Sequence, residues 1–233
     1  MSVPNFKKLE ESLGIEFKDK NLLKQAFTHR SYLNENPSWK LGHNERLEFL
    51  GDAVLELTVT EYLYNKFPKS TEGEMTSLRA ALVNAIMLAE VAKELGMEKY
   101  LLLSSGEAKD KGKARQYILA NTFESLVGAI YLDRGGKEVV KFLKRFLFPK
   151  LKEVMDKKLW IDAKSLFQEK AQAIEGVTPT YQVLSESGPD HAKKFVSGVF
   201  IKNQKVAQAQ GSSKQEAEQN AARKALKIKH WED

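Results

Sequence analysis

The chain has 233 residues, no cysteine, and 37 Lys and Arg against 31 Asp and Glu, which gives a formal charge of +6. Without cysteine it can form no disulfide framework, no thiolate-ligated metal site and no thiol nucleophile. A hydrophobic fraction of 42% and a charged fraction of 29% exclude a disordered or collagen-like chain. The first residues lack an apolar signal segment and no charge-free stretch could span a bilayer, so we expect a cytoplasmic protein without membrane contact.

Helical periodicity dominates the first two-thirds of the chain. Apolar residues spaced three and four apart predict helices over residues 6–13, 20–31, 44–67, 74–95, 116–133 and 137–157. Pro68 is expected to end the third of these helices and Gly96 to cap the fourth. No alternating pattern precedes residue 178, so this part of the chain is predicted to be all-α.

The pattern changes after residue 162. A helix predicted over 163–174 precedes three alternating segments, 181–187, 194–201 and 205–210, and a further helix follows over 213–227. This αβββα order is found nowhere earlier in the chain. We therefore predict two domains, an all-α domain over 1–157 and a small α+β domain over 162–230, joined by a short charged segment.

Four carboxylates share one face of the helix predicted over 44–67. At about 100° per residue, Glu45, Glu48, Asp52 and Glu56 fall within a quadrant of about 80°. Within residues 43–56 no Lys or Arg lies in that quadrant and no i+4 ion pair is available, so the acids are expected to repel one another. They form either a solvated acidic face or, since most of their neighbours are apolar, a cation site. Oxygen donors without His or Cys favour Mg²⁺.

A second polar pair interrupts the apolar helix over 116–133. Asn121 and Glu124 stand at i and i+3 and share a face, and the nearby Gly128 and Ala129 allow close helix packing. The two side chains form either an internal hydrogen-bonded pair or, if this helix crosses the first, two more oxygen ligands beside its acids. A Mg²⁺ ion held in this way suits phosphoryl chemistry, because it activates a water and holds the non-bridging oxygens.

These segments resemble the bacterial ribonuclease III family. Residues 44–55, NERLEFLGDAVL, are close to its signature helix letter for letter, and residues 28–32, 72–75, 123–124 and 128–133 fall where the family has similar blocks. The resemblance implies a homodimeric nuclease that cleaves double-stranded RNA with Mg²⁺, for which Mn²⁺ can substitute, and with no organic cofactor. It also implies products with 5′-phosphates and short 3′ overhangs, and substrates among ribosomal, messenger and transfer RNA precursors.

The resemblance implies roles for individual side chains. The metal ligands would come from both predicted helices: Glu48, Asp52, Asn121 and Glu124. The catalytic set would comprise three acids: Asp52, Glu124 and Glu45. Glu72 would be an auxiliary acid. The family usually has Asp where this chain has Asn121, so the site lacks one negative charge. This change is either a natural variant whose remaining acids suffice or an introduced substitution that traps an uncleaved complex.

The second domain resembles a double-stranded RNA-binding domain, a module that reads the shape of about 16 base pairs. Its last helix is predicted to start with a capping box formed by Ser213 and Glu216. The backbone amides at this helix start, together with Lys214, would attract phosphate. Gln215 stands where the family often has a second Lys, which predicts weaker binding. The implied RNA contacts come from the first helix, the first turn and the last helix: Gln168, Glu169, Pro189, His191, Ser213 and Lys214.

Several points stay open from the residues alone. The basic run over 109–115 is either a phosphate-contacting loop or an ordinary exposed loop, and Tyr181, Phe195 and Val199 are predicted to be core residues. The leading interpretation is a Mg²⁺-dependent endoribonuclease. The alternative is a non-catalytic RNA-binding scaffold, which only Asn121 supports. A phosphohydrolase acting on small nucleotides is disfavoured, because it would leave the second domain without a role.

Overall fold

The computed structural model describes residues 3–110, 112–189 and 193–231. The chain divides into two compact units, Met1–Trp160 and Ile161–Asp233. The first is a helical unit and the second has the order helix, three strands, helix, which confirms the predicted fold class.

The first unit is built from ten α-helices in its described part, with a 3₁₀ turn at Met97–Tyr100. The helices are α1 (Phe6–Leu13), α2 (Lys20–Ala26), α3 (Arg30–Glu35), α4 (Glu45–Lys66), α5 (Glu72–Val83), α6 (Ala85–Glu94), α7 (Ser105–Lys109), α8 (Lys113–Arg134), α9 (Gly136–Phe146) and α10 (Lys150–Asp156). α4 and α8 are the longest of these helices, with 22 residues each.

Three helices predicted as continuous are each broken in two. The segment over 20–31 divides because the backbone near Thr28 pairs with Leu102, leaving α2 and α3 on either side. The segment over 74–95 breaks at Asn84, whose side chain caps α6 by accepting a hydrogen bond from the amide of Met87 at 3.0 Å. The segment over 137–157 breaks at Pro149, since proline disfavours helix at the preceding residue.

The core of the first unit surrounds α8, which packs against α2, α4, α6 and α9. From Ile118 to Ile130 the residues of α8 are buried except Asn121 and Glu124, which are half-buried. The carboxylate of Asp133 fixes the end of α8, because it accepts hydrogen bonds at 2.8 Å from the amides of Lys18 and Asp19. α8 is therefore enclosed along its middle and fixed near its end.

The second unit is a three-stranded antiparallel sheet covered by two helices: α11 (Ala163–Glu175), β1 (Thr180–Ser187), β2 (Lys194–Ile201), β3 (Gln204–Gly211) and α12 (Lys214–Lys229). The helices run parallel, since ion pairs join Lys164 to Glu218 at 2.6 Å near their starts and Glu175 to Lys229 at 2.7 Å near their ends. Both helices bury apolar residues against one face of the sheet.

The core of the second unit agrees with two of the three residues predicted for it. Val199 is fully buried and Tyr181 packs against the same cluster. Phe195 lies outside this cluster and is half-buried, with the ammonium of Lys214 at 6.0 Å from its ring centroid. The prediction of Phe195 as a core residue is therefore wrong, because its position at the start of β2 places it at the end of the sheet.

In the described ranges no single helix is long and apolar enough to cross a membrane. The pair α5 and α6, bent by 45° at the break between them, passes such a test together by length and composition.

Candidate functional site

The start of α4 is anchored by a buried asparagine. The backbone amide of Asn44 donates to the carbonyl of Thr28 at 2.9 Å, and its side-chain amide donates to the carbonyl of Ala26 at 3.4 Å. The hydroxyl of Ser125 on α8 donates to the carbonyl of Asn44 at 3.4 Å. The first turn of α4 is therefore held against both the α2–α3 connection and α8.

Two glycines let α4 and α8 touch through their backbones. A Cβ atom at Gly51 would lie 1.8 Å from the carbonyl oxygen of Glu124, and one at Gly128 would lie 2.3 Å from the carbonyl oxygen of Leu47. Real Cβ atoms do not approach so closely, so glycine is required at both positions. This crossing brings the acidic face of α4 against the polar pair of α8.

At the crossing the predicted ligands come close enough to influence one another. Burial raises the pKa of the Glu124 carboxyl to about 7, and the negative charges of Asp52 and Glu48 add to the effect. Burial also raises the pKa of Glu48, helped by Glu45, while a hydrogen bond from Asn121 opposes the rise. The structure thus brings Glu48, Asp52 and Glu124 into one electrostatic cluster.

Asn121 bonds across the helices. Its side chain hydrogen-bonds Glu48 on α4. A pair confined to α8 would have joined Asn121 to Glu124 instead. The structure therefore favours the second interpretation of this pair, in which Asn121 and Glu124 face the acids of the other helix.

The cluster is not a closed ligand cage. Within the described ranges, no three Asp, Glu or His side chains converge tightly enough to enclose a metal ion. The three carboxylates nevertheless lie close enough for the charges of Asp52 and Glu48 to raise the pKa of Glu124, after burial, its main cause. In chemical kind the donors fit a hard divalent cation, because they offer only carboxylate and amide oxygens.

The expectation that no cation neutralises the acidic face is wrong for two of its members. The guanidinium of Arg79 on α5 lies 2.9 Å from the carboxylate of Glu56, and Arg30 lies 3.9 Å from Glu45. These partners come from other helices, so helical spacing on α4 could not reveal them. No such ion pair reaches Glu48, Asp52 or Glu124 within the part of the chain that the structure describes.

Glu72 lies apart from this cluster. It begins α5 and is exposed, and its carboxylate accepts a hydrogen bond from the hydroxyl of Thr76 at 3.0 Å. The carboxylates that act on Glu124 are Asp52, Glu48 and Glu56. The structure therefore does not bring Glu72 together with the predicted ligands.

The basic run over 109–115 contains a structural arginine that sequence reasoning missed. Arg115 is buried, and its guanidinium donates to the carbonyls of Glu107 at 2.7 Å and Asp110 at 3.1 Å. Since it ties α7 to the start of α8, Arg115 is not available to a phosphate. Lys113 is exposed, and Lys111 lies outside the described residues. The sequence of this run, with four basic residues close together, does not indicate which of them is buried.

The predicted RNA contacts of the second unit lie on three of its segments. Gln168 and Glu169 are exposed on α11, and Pro189 is exposed after β1. His191 lies outside the described residues. The hydroxyl of Ser213 caps α12 by accepting from the amide of Glu216 at 3.2 Å, while the Glu216 carboxylate accepts from the amide of Ser212 at 2.7 Å. The Glu216 carboxylate thus bonds the amide of the residue before the cap, whereas the predicted capping box would use the amide of Ser213 itself.

The sheet register brings two of these segments to one end of the unit. Ser187 pairs with Lys194 across the β1–β2 connection, and Phe195 pairs with Gly211 at the end of β3. The connection after β1 and the start of α12 therefore lie at the same end of the sheet. Lys214, above the Phe195 ring, stands at this end.

A helical unit with a cluster of carboxylates, followed by an αβββα unit, fits a nuclease joined to an RNA-binding domain. The family profile "Ribonuclease-III-like" matches residues 19–151, and "Double-stranded RNA binding motif" matches residues 163–229. The chain belongs to the ribonuclease III family and is an endoribonuclease. The non-catalytic alternative is therefore set aside, and the resemblance seen in the sequence is confirmed.

Individual relatives are similar along nearly the whole chain. Ribonuclease 3 of Listeria welshimeri is 46% identical over 95% of this chain and 96% of its own length. Ribonuclease 3 of Bacillus cereus is 47% identical over 95% of this chain and 90% of its own. The solved nuclease domain of ribonuclease III from Campylobacter jejuni is 45% identical, covers 62% of this chain and 99% of its own, and superposes with a TM-score of 0.57.

Proposed function

We propose that this enzyme cleaves both strands of double-stranded RNA with Mg²⁺, leaving 5′-phosphates and short 3′ overhangs, during processing of RNA precursors in the cytoplasm. Residues 1–157 would carry cleavage and dimerisation, and residues 162–230 would bind RNA. The observation that carries the proposal is the contact between α4 and α8 at Gly51 and Gly128, which sets unneutralised carboxylates from two helices on one side.

The proposed metal ligands are the oxygens that face each other across this contact: Glu48, Asp52, Asn121 and Glu124. A bound Mg²⁺, or Mn²⁺ in its place, supplies Lewis-acid activation of water and of the phosphate oxygens. Burial, and after it the negative charges of Asp52 and Glu48, raise the pKa of Glu124, which supports a cation at this site because a divalent ion would offset both effects.

The side chains of this site have distinct tasks. Asn121 favours the ionised form of Glu48, because its amide lowers the pKa of that carboxyl. Glu124, half-buried beside Asp52 and Glu48, would offer its ionised carboxylate to the cation. Asp52 and Glu45 are exposed and reach solvent, where substrate arrives. Glu72 remains in the proposal only as an acid outside the cluster.

RNA binding is assigned to the exposed polar groups of the second unit. Lys214 and the first turn of α12 would contact phosphates, the connection that carries Pro189 and His191 would enter a minor groove, and Gln168 and Glu169 would contact 2′-hydroxyls. The shared end of the sheet supports this assignment for α12 and the β1–β2 connection.

Homodimerisation is assigned to an apolar strip of α4. Phe49 is 83% exposed, Leu57 70% and Tyr64 68%, and these positions fall within about 80° of one another around the helix. Large exposed apolar residues in one strip indicate a protein interface. The Campylobacter jejuni structure concerns a region involved in dimer formation, which supports the same state for this chain. This strip borders the acidic face, so a dimer would place two sites beside one seam.

Cleavage of a long labelled double-stranded RNA tests the site. We expect cutting with Mg²⁺ and none with chelator or with Glu124→Gln, while binding of the RNA persists in both cases. Glu16→Gln, which changes an exposed carboxylate far along the sequence from the cluster, is the matched control and is expected to cut normally. Full cutting by Glu124→Gln would refute the assignment.

Sedimentation of the free protein tests the dimer. Phe49→Asp is expected to give a monomer at micromolar concentration, because a charge would be buried in the apolar seam. Ile86→Asp introduces the same charge at another exposed apolar position, 68% exposed on α6, and is expected to leave the dimer intact. A dimer of unchanged affinity in Phe49→Asp would contradict the proposed interface.

A further inference from the structure

One aromatic residue stands out on an otherwise covered helix. Between Arg115 and Ile130 every position of α8, all of them described, is buried or half-buried except Tyr117. Tyr117 is 59% exposed. A large aromatic side chain left in solvent on the most enclosed helix of the unit has no task in the packing of that helix.

Tyr117 lies in line with the proposed ligands on α8. Asn121 and Glu124 follow it at i+4 and i+7, so all three side chains leave the helix within about 60° of one another. Because the stretch of α8 from Arg115 to Ile130 is otherwise covered, this strip is where that stretch opens to solvent. A molecule that reaches Glu124 along α8 therefore passes Tyr117, about 10 Å away along the helix axis.

The phenol group is free to bind. Among the described residues, no side chain or backbone group makes a hydrogen bond or ring contact with Tyr117. One turn earlier, Lys113 is also exposed and continues the same strip with a positive charge. A phenol hydroxyl both donates and accepts hydrogen bonds, so it suits either a phosphate oxygen or a ribose hydroxyl.

We propose that Tyr117 binds the sugar–phosphate backbone of the strand that is cut, and so fixes the substrate relative to Glu124. This inference rests on the proposed function of the α4–α8 site. A separation of about 10 Å places the contacted nucleotide within about three base pairs of the cleaved bond. The proposed contact joins one group of the protein, the hydroxyl of Tyr117, to one sugar or phosphate group of the RNA.

The same helix offers a matched control. Tyr131 follows Glu124 by seven residues, on nearly the same face, and is 42% exposed. Gly128, where the backbone of α8 contacts α4, lies between Glu124 and Tyr131 along the helix, so Tyr131 stands on the other side of this contact from Tyr117. Tyr131→Phe therefore removes the same hydroxyl from the same helix beyond the site.

The experiment measures kcat and KM of the full-length enzyme on a short duplex with one cleavage site. Tyr117→Phe is expected to lower kcat/KM about twofold to tenfold, the range for one lost hydrogen bond, and Tyr131→Phe to leave it unchanged. Duplexes with a single 2′-deoxy or methylphosphonate substitution near the cut are then compared. One of these substitutions in the duplex is expected to lower kcat/KM of the wild type but not to lower kcat/KM of Tyr117→Phe any further.

The class of substitution that shows this non-additivity tells whether the hydroxyl binds a ribose or a phosphate. Equal kcat/KM for Tyr117→Phe and wild type would overturn the inference. So would a loss of activity with no change in sensitivity to any substitution, or one that accompanies loss of the dimer in sedimentation. An inactive Glu124→Gln beside an unaffected Tyr117→Phe would refute only this inference, whereas an active Glu124→Gln would refute the site itself.

Discussion

At the scale of single residues, the fold strongly changes the acidity of the Glu124 carboxyl. An isolated glutamate is ionised at neutral pH, whereas burial beside Asp52 and Glu48 raises the pKa of Glu124 to about 7. Asn121 reduces the crowding, since an amide replaces a further carboxylate and hydrogen-bonds Glu48. In the proposed metal site, an amide at position 121 would lower the repulsion among the ligands at the expense of affinity for the cation.

The raised pKa of Glu124 predicts how stability depends on pH without metal. The folded carboxyl keeps its proton up to about pH 7, whereas the unfolded one loses it near 4.5, so folding binds protons between these values. The free energy of unfolding should therefore fall as pH rises from about 4.5 to 7, by about 1 to 2 kcal/mol after allowing for solvent screening. Urea unfolding in chelator at several pH values measures this fall, and Glu124→Gln should reduce it. An equal fall in both proteins would show that Glu124 is not its source.

Restoring a carboxylate at position 121 predicts tighter metal binding. Asn121→Asp adds a negative charge beside Glu48, so the Mg²⁺ concentration for half-maximal cleavage should drop about threefold to tenfold, with faster cleavage at low Mg²⁺. A Mg²⁺ titration of initial rates measures both effects. Asn65→Asp adds the same charge at the far end of α4 and should change neither. Identical titrations for Asn121→Asp and wild type would show that this position is not a ligand.

At the scale of elements, the site depends on how closely two helices approach. α4 and α8 each carry part of the donor set, and Gly51 and Gly128 let their backbones touch. The hydroxyl of Ser125 on α8 donates to the carbonyl of Asn44 at the start of α4, and the side chain of Asn44 ties that start to the carbonyl of Ala26. Arg79 joins α5 to Glu56 and so holds a neighbouring helix against the acidic face.

Gly51→Ala tests the close approach. Its Cβ would overlap the carbonyl oxygen of Glu124, which cannot rotate away, so the helices must separate. We expect a loss of about 3 kcal/mol or more in the free energy of unfolding, together with loss of cleavage. Gly73→Ala on α5 meets no atom within 4 Å and should stay within about 1 kcal/mol of wild type. Urea unfolding compares the two variants, and similar values would refute the steric account.

At the scale of the whole molecule, function is divided between a unit that cuts and a unit that holds RNA. The net charge of +6 is modest, so RNA binding depends on where the charges lie. In the second unit, Lys214 stands at the end of the sheet where α12 begins, next to the β1–β2 connection. In the first unit we propose a divalent ion between the acids and the phosphate.

The salt dependence of RNA binding tests the role of Lys214. Each phosphate contact contributes close to one unit to the slope of log affinity against log salt, so Lys214→Ala should lower the slope by about 1. Gln215→Lys should raise it by a similar amount. Lys202→Ala, at the turn between β2 and β3 and thus at the other end of the sheet, should have little effect. Binding isotherms at several salt concentrations with chelator measure these slopes, and equal slopes for all variants would contradict the proposed surface.

Periodicity and local motifs determined much of this protein. The period of 3.6 residues located the helices, alternation located the strands, and the angular positions of Glu48 and Asp52 showed a shared acidic face. These features are local, since they depend only on residues a few positions apart. The sequence pattern did not predict the helix breaks at Thr28 and Asn84, because the apolar periodicity continues across them.

The tertiary structure alone decided which residues meet. Helical spacing on α4 could not reveal that Arg79 neutralises Glu56, because the partner comes from another helix. Four basic residues in one short run look alike until burial selects Arg115 to bind loop carbonyls. The raised pKa of Glu124 and the exposure of Tyr117 depend on what covers the rest of α8. Burial and charge interactions arise between segments distant in sequence, so only the packed fold determines them.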